Sequence, residues 1–127
     1  MILKQILLVA LGGGIGSVFR YLVSYFTYLK VGKECLTFPL PTFIVNLAGC
    51  FLIGILVGLG LKYTSFDENL KLFLITGICG GFTTFSAFSL ENLQLYQSGN
   101  YLTLTVYVLL SVLLGVGLVG LGVFLVK

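Results

Sequence analysis

Few side chains in this chain could carry chemistry, and their types exclude most catalytic mechanisms. The sequence contains no histidine, which excludes an imidazole base, an imidazole proton relay and a histidine-ligated metal. Paired-carboxylate catalysis or a carboxylate metal cage would have only four acids to use: Glu34, Asp67, Glu68 and Glu91. The three cysteines follow no redox or metal-binding motif and are interpreted as small packing residues: Cys35, Cys50 and Cys79.

One segment of the third apolar run is unusual for a helix interior. Residues 77–86 read GICGGFTTFS, in which the pair Gly80–Gly81 is followed by the pair Thr83–Thr84. Within lipid, a broken helix is tolerated only where the freed backbone groups face protein, an ion or water. The segment is therefore either a glycine-lined groove for helix packing or a mid-membrane break that presents backbone to an ion. We expect the break.

Polar side chains inside the apolar runs are further candidates for functional residues, because each costs free energy unless it is paired or hydrated. Arg20 lies in the second half of the first run, where it could extend to an interface as a structural charge or face an anion. Thr42 and Asn46 are four residues apart and share a face of the second run. Asn46 is either a partner in an interhelical hydrogen bond or a pore-lining amide.

The fourth run carries a stripe of hydroxyl-bearing or bare positions at intervals of four residues: Thr103, Tyr107, Ser111 and Gly115. This stripe favours a transport path lined by polar side chains over interhelical hydrogen bonding. Phe85 and Phe88 share a face, and their positive ring edges would favour a small anion in a narrow path, although such pairs are more often core or lipid-facing. Glu91 is either a proton or cation site or an interfacial group paired with Arg20 or a lysine, and its position favours the interface.

The elements that position these residues are membrane-spanning helices. Of the 127 residues, 58% are hydrophobic and 9% are charged, with a mean hydropathy of +1.14. A soluble domain has about 45–50% apolar and about 25% charged residues. Because about 20 apolar residues span a bilayer as a helix, the chain accommodates four spans with short loops. This composition excludes a soluble enzyme, a nucleic-acid-binding protein and a multidomain receptor, and the net charge of +3 indicates no polyanionic partner.

The sequence predicts an all-α membrane protein with a single four-helix domain over residues 1–127. The spans cover residues 2–29, 39–61, 70–96 and 101–126. Glycine clusters within them indicate close helix packing and dimerisation. One side of the membrane would carry four lysines and the other two, Lys30 and Lys33. This weak bias permits insertion in both orientations, and hence an antiparallel dimer of inverted subunits.

With these residues assembled, the sequence resembles the fluoride-specific ion channels of the CrcB/Fluc family over nearly its whole length. Residues 80–88 (GGFTTFSAF) fit the family's GGxTTFSxF signature, which is long and specific. The stretch 13–16 with Arg20 and Tyr21 is similar to the GGxxGxxxRY pattern of the first span. Residues 42–49 (TFIVNLAG) are similar to the TxxVNxxG pattern of the second span.

The resemblance implies a dual-topology antiparallel homodimer in a bacterial inner membrane, with two pathways that release fluoride passively and so protect the cell. It also implies a central sodium ion, structural and not transported, on the backbone carbonyls of Gly80 and Thr83 of each subunit. Two such helices crossing at a twofold axis would direct four carbonyls at one point. A cation there would lower the barrier for an anion.

The resemblance also assigns the fluoride pathway to a pore asparagine, a pair of phenylalanines and a hydroxyl track: Asn46, Phe85, Phe88, Tyr107 and Ser111. Thr42 joins these candidates through the face it shares with Asn46. Arg20 and Glu91 are expected to be vestibule or structural charges. The chain departs from the family pattern at Gly115, where a hydroxyl is usual, and at Ala87, where threonine is frequent.

Three alternatives remain for a small membrane protein of this kind. A four-helix drug/proton antiporter needs a buried carboxylate, ideally in the first span, which here holds Arg20 and no acid. A membrane enzyme needs a nucleophile with a base, or metal ligands, and no such groups converge in the sequence. A structural assembly factor or holin-like protein would explain the glycines but not the polar stripes.

Overall fold

The computed structural model describes residues 1–32 and 37–127, and the regular elements within them are helices. Helix α1 comprises Ile2–Val31 and helix α2 comprises Leu40–Lys62. The third span, Glu68–Gln97, contains helix α3 (residues 68–82) and helix α4 (Phe85–Gln97). Helix α5 comprises Tyr101–Val126. Three residues discussed above lie outside the described part of the chain: Lys33, Glu34 and Cys35.

The prediction of four membrane-spanning helices is confirmed by length and composition. Among the described residues, four helical stretches are long and apolar enough to cross a membrane. Their ends lie within two residues of the predicted bounds. The part of the chain that the structure describes is therefore all-helical.

Local sequence determines where these helices begin and end. Pro39 and Pro41 open α2, where a missing amide donor costs little. The Asp67 carboxylate accepts a hydrogen bond of 3.0 Å from the Leu70 amide and so caps the start of α3. Gly99, with φ of 79°, forms the turn into α5 in a backbone conformation that favours glycine.

Helix α3 changes its hydrogen-bonding pattern along its length. It begins as an α-helical turn, becomes a π-helix over Leu72–Cys79 and ends as an α-helical turn over Gly80–Phe82. π-Helical turns are rare and occur frequently at functional sites. Thr83 (φ −84°, ψ 159°) and Thr84 (φ −150°, ψ 118°) are extended and separate α3 from α4. These two residues are called the extended pair below.

Helix α1 packs against α3 at backbone contact distance through two buried glycines, Gly12 and Gly16. A Cβ atom at Gly12 would lie 2.9 Å from the Cα of Gly77. A Cβ atom at Gly16 would lie 2.8 Å from the amide nitrogen of Phe82. Since these neighbours are backbone atoms, the first-span glycines are what permits α1 to approach α3 so closely.

The remaining core lies between α2 and α5. Val45 of α2 and Tyr107 of α5 are both 0% exposed. By contrast, large apolar side chains on the outer faces are open, as Phe124 illustrates at 73% exposure. An apolar exterior around a small core is what a lipid-embedded bundle requires.

The α1–α3 contact generates a stability prediction. We expect Gly16→Val to lower the free energy of unfolding in detergent by about 3 kcal/mol or more, because the new side chain meets the α3 backbone rather than a flexible side chain. Gly14→Val is the matched control, since nothing lies within 4 Å of a Cβ atom at Gly14. Thermal unfolding of the two variants measures the difference, and equal melting temperatures would contradict the packing described here.

Candidate functional site

The extended pair is fastened to α2 by the side chain of Asn46. The Asn46 amide nitrogen Nδ2 donates to the Thr84 carbonyl oxygen at 3.0 Å, and the Thr84 amide donates to Asn46 Oδ1 at 2.8 Å. One side chain thus satisfies both backbone groups of a residue that lies outside any helix. Of the two roles that the sequence left open for Asn46, a hydrogen bond to another span is present here.

The threonine side chains complete the hydrogen bonding of the extended pair. The Thr83 amide and the Thr83 hydroxyl both donate to the Cys79 carbonyl, at 3.0 and 2.9 Å. The Thr84 hydroxyl accepts from the Ala87 amide at 3.1 Å and so caps the start of α4. The TT dipeptide therefore ends one helix with its first hydroxyl and begins the next with its second.

These bonds leave two carbonyl oxygens without their helical donors. In an unbroken helix, the Gly80 carbonyl would accept from the amide of Thr83 or Thr84. The first of these donates to Cys79 and the second to Asn46. The Thr83 carbonyl likewise loses its helical donor, since the Ala87 amide is bonded to the Thr84 hydroxyl. Carbonyls without donors in a membrane-spanning segment need another partner, such as water or a cation.

The side chains that the structure describes offer a metal ion no conventional ligand set. Within residues 1–32 and 37–127, there is no cluster of three His, Cys, Asp or Glu side chains that could hold a metal ion. A cation near the extended pair would therefore take backbone oxygens as ligands. Oxygen ligands suit hard cations rather than thiophilic metals.

An open groove of about 380 Å³ runs along α2, the extended pair and α5. It brings together several of the residues singled out in the sequence: Asn46, Gly80, Thr83, Phe85, Phe88 and Ser111. The Phe85 and Phe88 ring centroids lie 5.9 Å apart, and Phe85 is 79% exposed. The exposed Phe85 ring thus adds apolar surface beside the extended pair.

The stripe on α5 is only partly continuous with this groove. Ser111 lines it. At Gly115, where a Cβ atom would meet the Cys50 sulfur at 3.4 Å, the Cys50 thiol of α2 stands in place of a side chain from α5. Gly115, the position of the stripe without a side chain, therefore faces the Cys50 thiol.

Glu91 forms a second polar cluster, between α4, α2 and α5. The Thr42 hydroxyl donates to Glu91 Oε2 at 2.6 Å, and the Tyr107 hydroxyl donates to Oε1 at 2.8 Å. Thr42 is 8% exposed and Tyr107 is fully buried. The carboxylate is thus held by two charge-assisted hydrogen bonds from two different helices.

One alternative that the sequence left open for Glu91, an ion pair with Arg20 or a lysine, is absent among the described residues. Within the described ranges, the Glu91 carboxylate is bonded to hydroxyl groups and makes no ion pair. Arg20, half-buried on α1, has no ion-pair partner among these same residues. Helical periodicity places a residue on a face, but it does not reveal which group on another helix that face meets.

Two aromatic residues around Tyr107 were missed in the sequence reasoning. The ring centroids of Phe38 and Phe43 lie 5.2 and 6.2 Å from that of Tyr107, and Phe88 lies at 4.9 Å. Edge-to-face and tilted pairs of this kind stabilise packing beyond their buried area. Phe38 and Phe43 flank the prolines that open α2. Their nearness in sequence to the start of this helix was the signal that could have identified them.

Comparison with known proteins gives one consistent result. Residues 7–123 match the family described as CrcB-like protein, Camphor Resistance (CrcB). A protein of Azobacteroides pseudotrichonymphae named fluoride-specific ion channel FluC is 58% identical over 98% of both chains. Proteins with the same name from Flavobacterium psychrophilum and Phocaeicola vulgatus are 49% and 44% identical over 97% or more of this chain.

These matches extend over nearly the whole chain and include the GGFTTFSAF segment, the Asn46 region and all four spans. The family is one of ion channels, which confirms the sequence prediction that the protein is not an enzyme. The chain belongs to the CrcB family of fluoride-specific ion channels.

Proposed function

We propose that this protein is a passive, fluoride-selective channel that exports fluoride across a bacterial inner membrane and thereby lowers its toxicity. The observation that carries the proposal is the groove, where hydrogen-bond donors and phenyl rings meet along the extended pair. Its relatives, which are named fluoride-specific ion channels and match the chain from end to end, support the same activity.

The groove contains the groups that a small, strongly hydrated anion needs. The Asn46 amide carries two hydrogens and uses one on the Thr84 carbonyl, so the second is available to an anion. Ser111 adds a hydroxyl, and Phe85 and Phe88 add positive ring edges. A narrow path with these donors in series would replace the water around fluoride and exclude chloride by size.

In this proposal, Tyr107, Thr42 and Glu91 flank the path rather than supply its donors. Both hydroxyls are bonded to the carboxylate, which ties α4 to α2 and α5. A second opening, of about 350 Å³, lies beside Glu91 and is lined by Pro41, Gln94 and Asn100 among others. We assign this opening to the mouth of the path, with Glu91 as a structural charge at its base.

We further propose that the working unit is an antiparallel homodimer with two pathways. Support comes from the groove, which one subunit leaves open, and from Gly80 and Phe85, which are exposed along it. An inverted second copy would cover these residues. The weak bias of lysines expected from the sequence, four on one side against two on the other, permits both orientations.

The proposal includes a structural sodium ion and a third span that is broken near mid-membrane at the extended pair. The Gly80 and Thr83 carbonyls, which lack their helical donors, fit a small hard cation, and they would hold it together with the same groups of a second subunit. When bound, the ion supplies a fixed positive charge close to the path. The chain's own part is to hold the carbonyls in place, through Asn46 and the Cys79 carbonyl.

The first prediction of this proposal concerns transport. In liposomes loaded with potassium fluoride and potassium chloride, we expect valinomycin to trigger rapid fluoride efflux while chloride is retained. Ion-selective electrodes measure both anions, and protein-free liposomes provide the baseline. Release of both halides, or of neither by a folded sample, would contradict a selective channel and would direct attention to proton-linked transport at Glu91.

A second prediction concerns Asn46. Asn46→Asp keeps an acceptor for the Thr84 amide but loses the donor to the Thr84 carbonyl and places a negative charge in the path. Since an unsatisfied buried group costs about 1–3 kcal/mol and the new charge repels an anion, we expect fluoride efflux to fall by about tenfold to a hundredfold. Thr105→Val is the control, because the exposed Thr105 hydroxyl donates only to the Tyr101 carbonyl of its own helix. Efflux unchanged in Asn46→Asp would rule out this role.

A third prediction concerns the cation. Replacing sodium with N-methylglucamine in the buffer should lower the melting temperature of the purified protein by about 5 °C or more. An ion that binds only the folded state stabilises that state, so its removal destabilises the protein. Potassium at the same ionic strength serves as the comparison, and should stabilise the protein less. Identical melting curves in the three cations would remove sodium from the proposal.

A further inference from the structure

Besides the hydrogen bonds of Asn46, helix α2 meets the extended pair where Gly49 lies against Thr83. Gly49 is buried and lies three residues after Asn46, on the same face of α2. A Cβ atom at Gly49 would overlap the Thr83 methyl carbon Cγ2 and lie 3.5 Å from Cδ2 of Phe82. The Thr83 methyl therefore occupies the space that a side chain at residue 49 would fill.

The Thr83 side chain cannot turn away from Gly49 at little cost. Its hydroxyl donates to the Cys79 carbonyl at 2.9 Å, and the Thr83 amide donates to the same oxygen at 3.0 Å. A threonine side chain has one torsion, so rotation of the methyl away from α2 also removes the hydroxyl from Cys79. The hydroxyl bond and the methyl contact consequently fix one rotamer between them.

We propose that Gly49 is a positioning residue, which sets the direction of the Thr83 carbonyl by accepting the Thr83 methyl. Helix α2 then holds the extended pair at two points, with Asn46 bonded to Thr84 and Gly49 in contact with Thr83. The inference rests on the proposed function, because the Thr83 carbonyl is one of the oxygens assigned to sodium. It adds a residue that acts through Thr83 and does not touch the ion.

The test measures sodium binding through stability rather than transport. Melting temperatures of the purified protein in detergent are recorded as sodium chloride replaces N-methylglucamine chloride at constant ionic strength. We expect Gly49→Ala to raise the sodium concentration at half-maximal stabilisation by about tenfold or more, the size of effect that loss of ligand orientation has at metal sites. Gly14→Ala, at a position with open space, should leave this midpoint unchanged.

Two more variants separate positioning from simple loss of packing. Thr83→Ser removes the methyl and keeps the hydroxyl, so the double variant Gly49→Ala/Thr83→Ser should return the sodium midpoint toward that of the unmodified protein. Thr83→Ser alone loses the methyl contact with Gly49 but keeps the hydroxyl bond to Cys79, and it should raise the midpoint even if Gly49→Ala does not fold.

The outcomes distinguish this inference from the function on which it rests. Sodium stabilisation of the unmodified protein, with the same midpoint in Gly49→Ala or in Thr83→Ser, would overturn the inference and leave the sodium site intact. A melting temperature lowered equally at every sodium concentration would show that Gly49 serves packing alone, and would also overturn it. Absence of any sodium effect in the unmodified protein would overturn both.

Discussion

The structure depends on the requirement that backbone groups be satisfied where no water is available to satisfy them. The third span does not meet this requirement with helical bonds alone, because Thr83 and Thr84 are extended. The Asn46 side chain binds both backbone groups of Thr84, and the Thr83 amide and hydroxyl share the Cys79 carbonyl. These bonds account for the extended pair and leave two carbonyls free for another partner.

Other features of the bundle follow from the need to hold this segment in place. Buried glycines bring α1 into backbone contact with α3, immediately before the extended pair. Helix α2 presents Asn46 and Gly49 to the pair. Glu91 then links α4 to α2 and α5 through two hydroxyl groups. Polar side chains in the interior thus hold the backbone of the extended pair in place. The groove lies along this segment.

Much of this could be predicted from the sequence, since hydropathy fixes the spans and GGFTTFSAF marks the unusual segment. What could not be predicted is which group meets which across helices. The four-residue spacing places Thr42 and Asn46 on one face, yet their partners, Glu91 and Thr84, lie 49 and 38 residues away. Periodicity also does not distinguish π-helical from α-helical turns, and so the change of pattern within α3 was not foreseen.

The central claim is that side chains of α2 hold the extended pair so that the Gly80 and Thr83 carbonyls are free for a cation shared by two inverted subunits. A high-resolution structure of the protein in lipid, with sodium present, tests it most directly. The account predicts two antiparallel copies whose Gly80 and Thr83 carbonyls point at one ion, with the Thr84 amide bonded to Asn46. A Thr84 amide bonded to the Gly80 carbonyl in a continuous third helix, with no ion between the subunits, would contradict it.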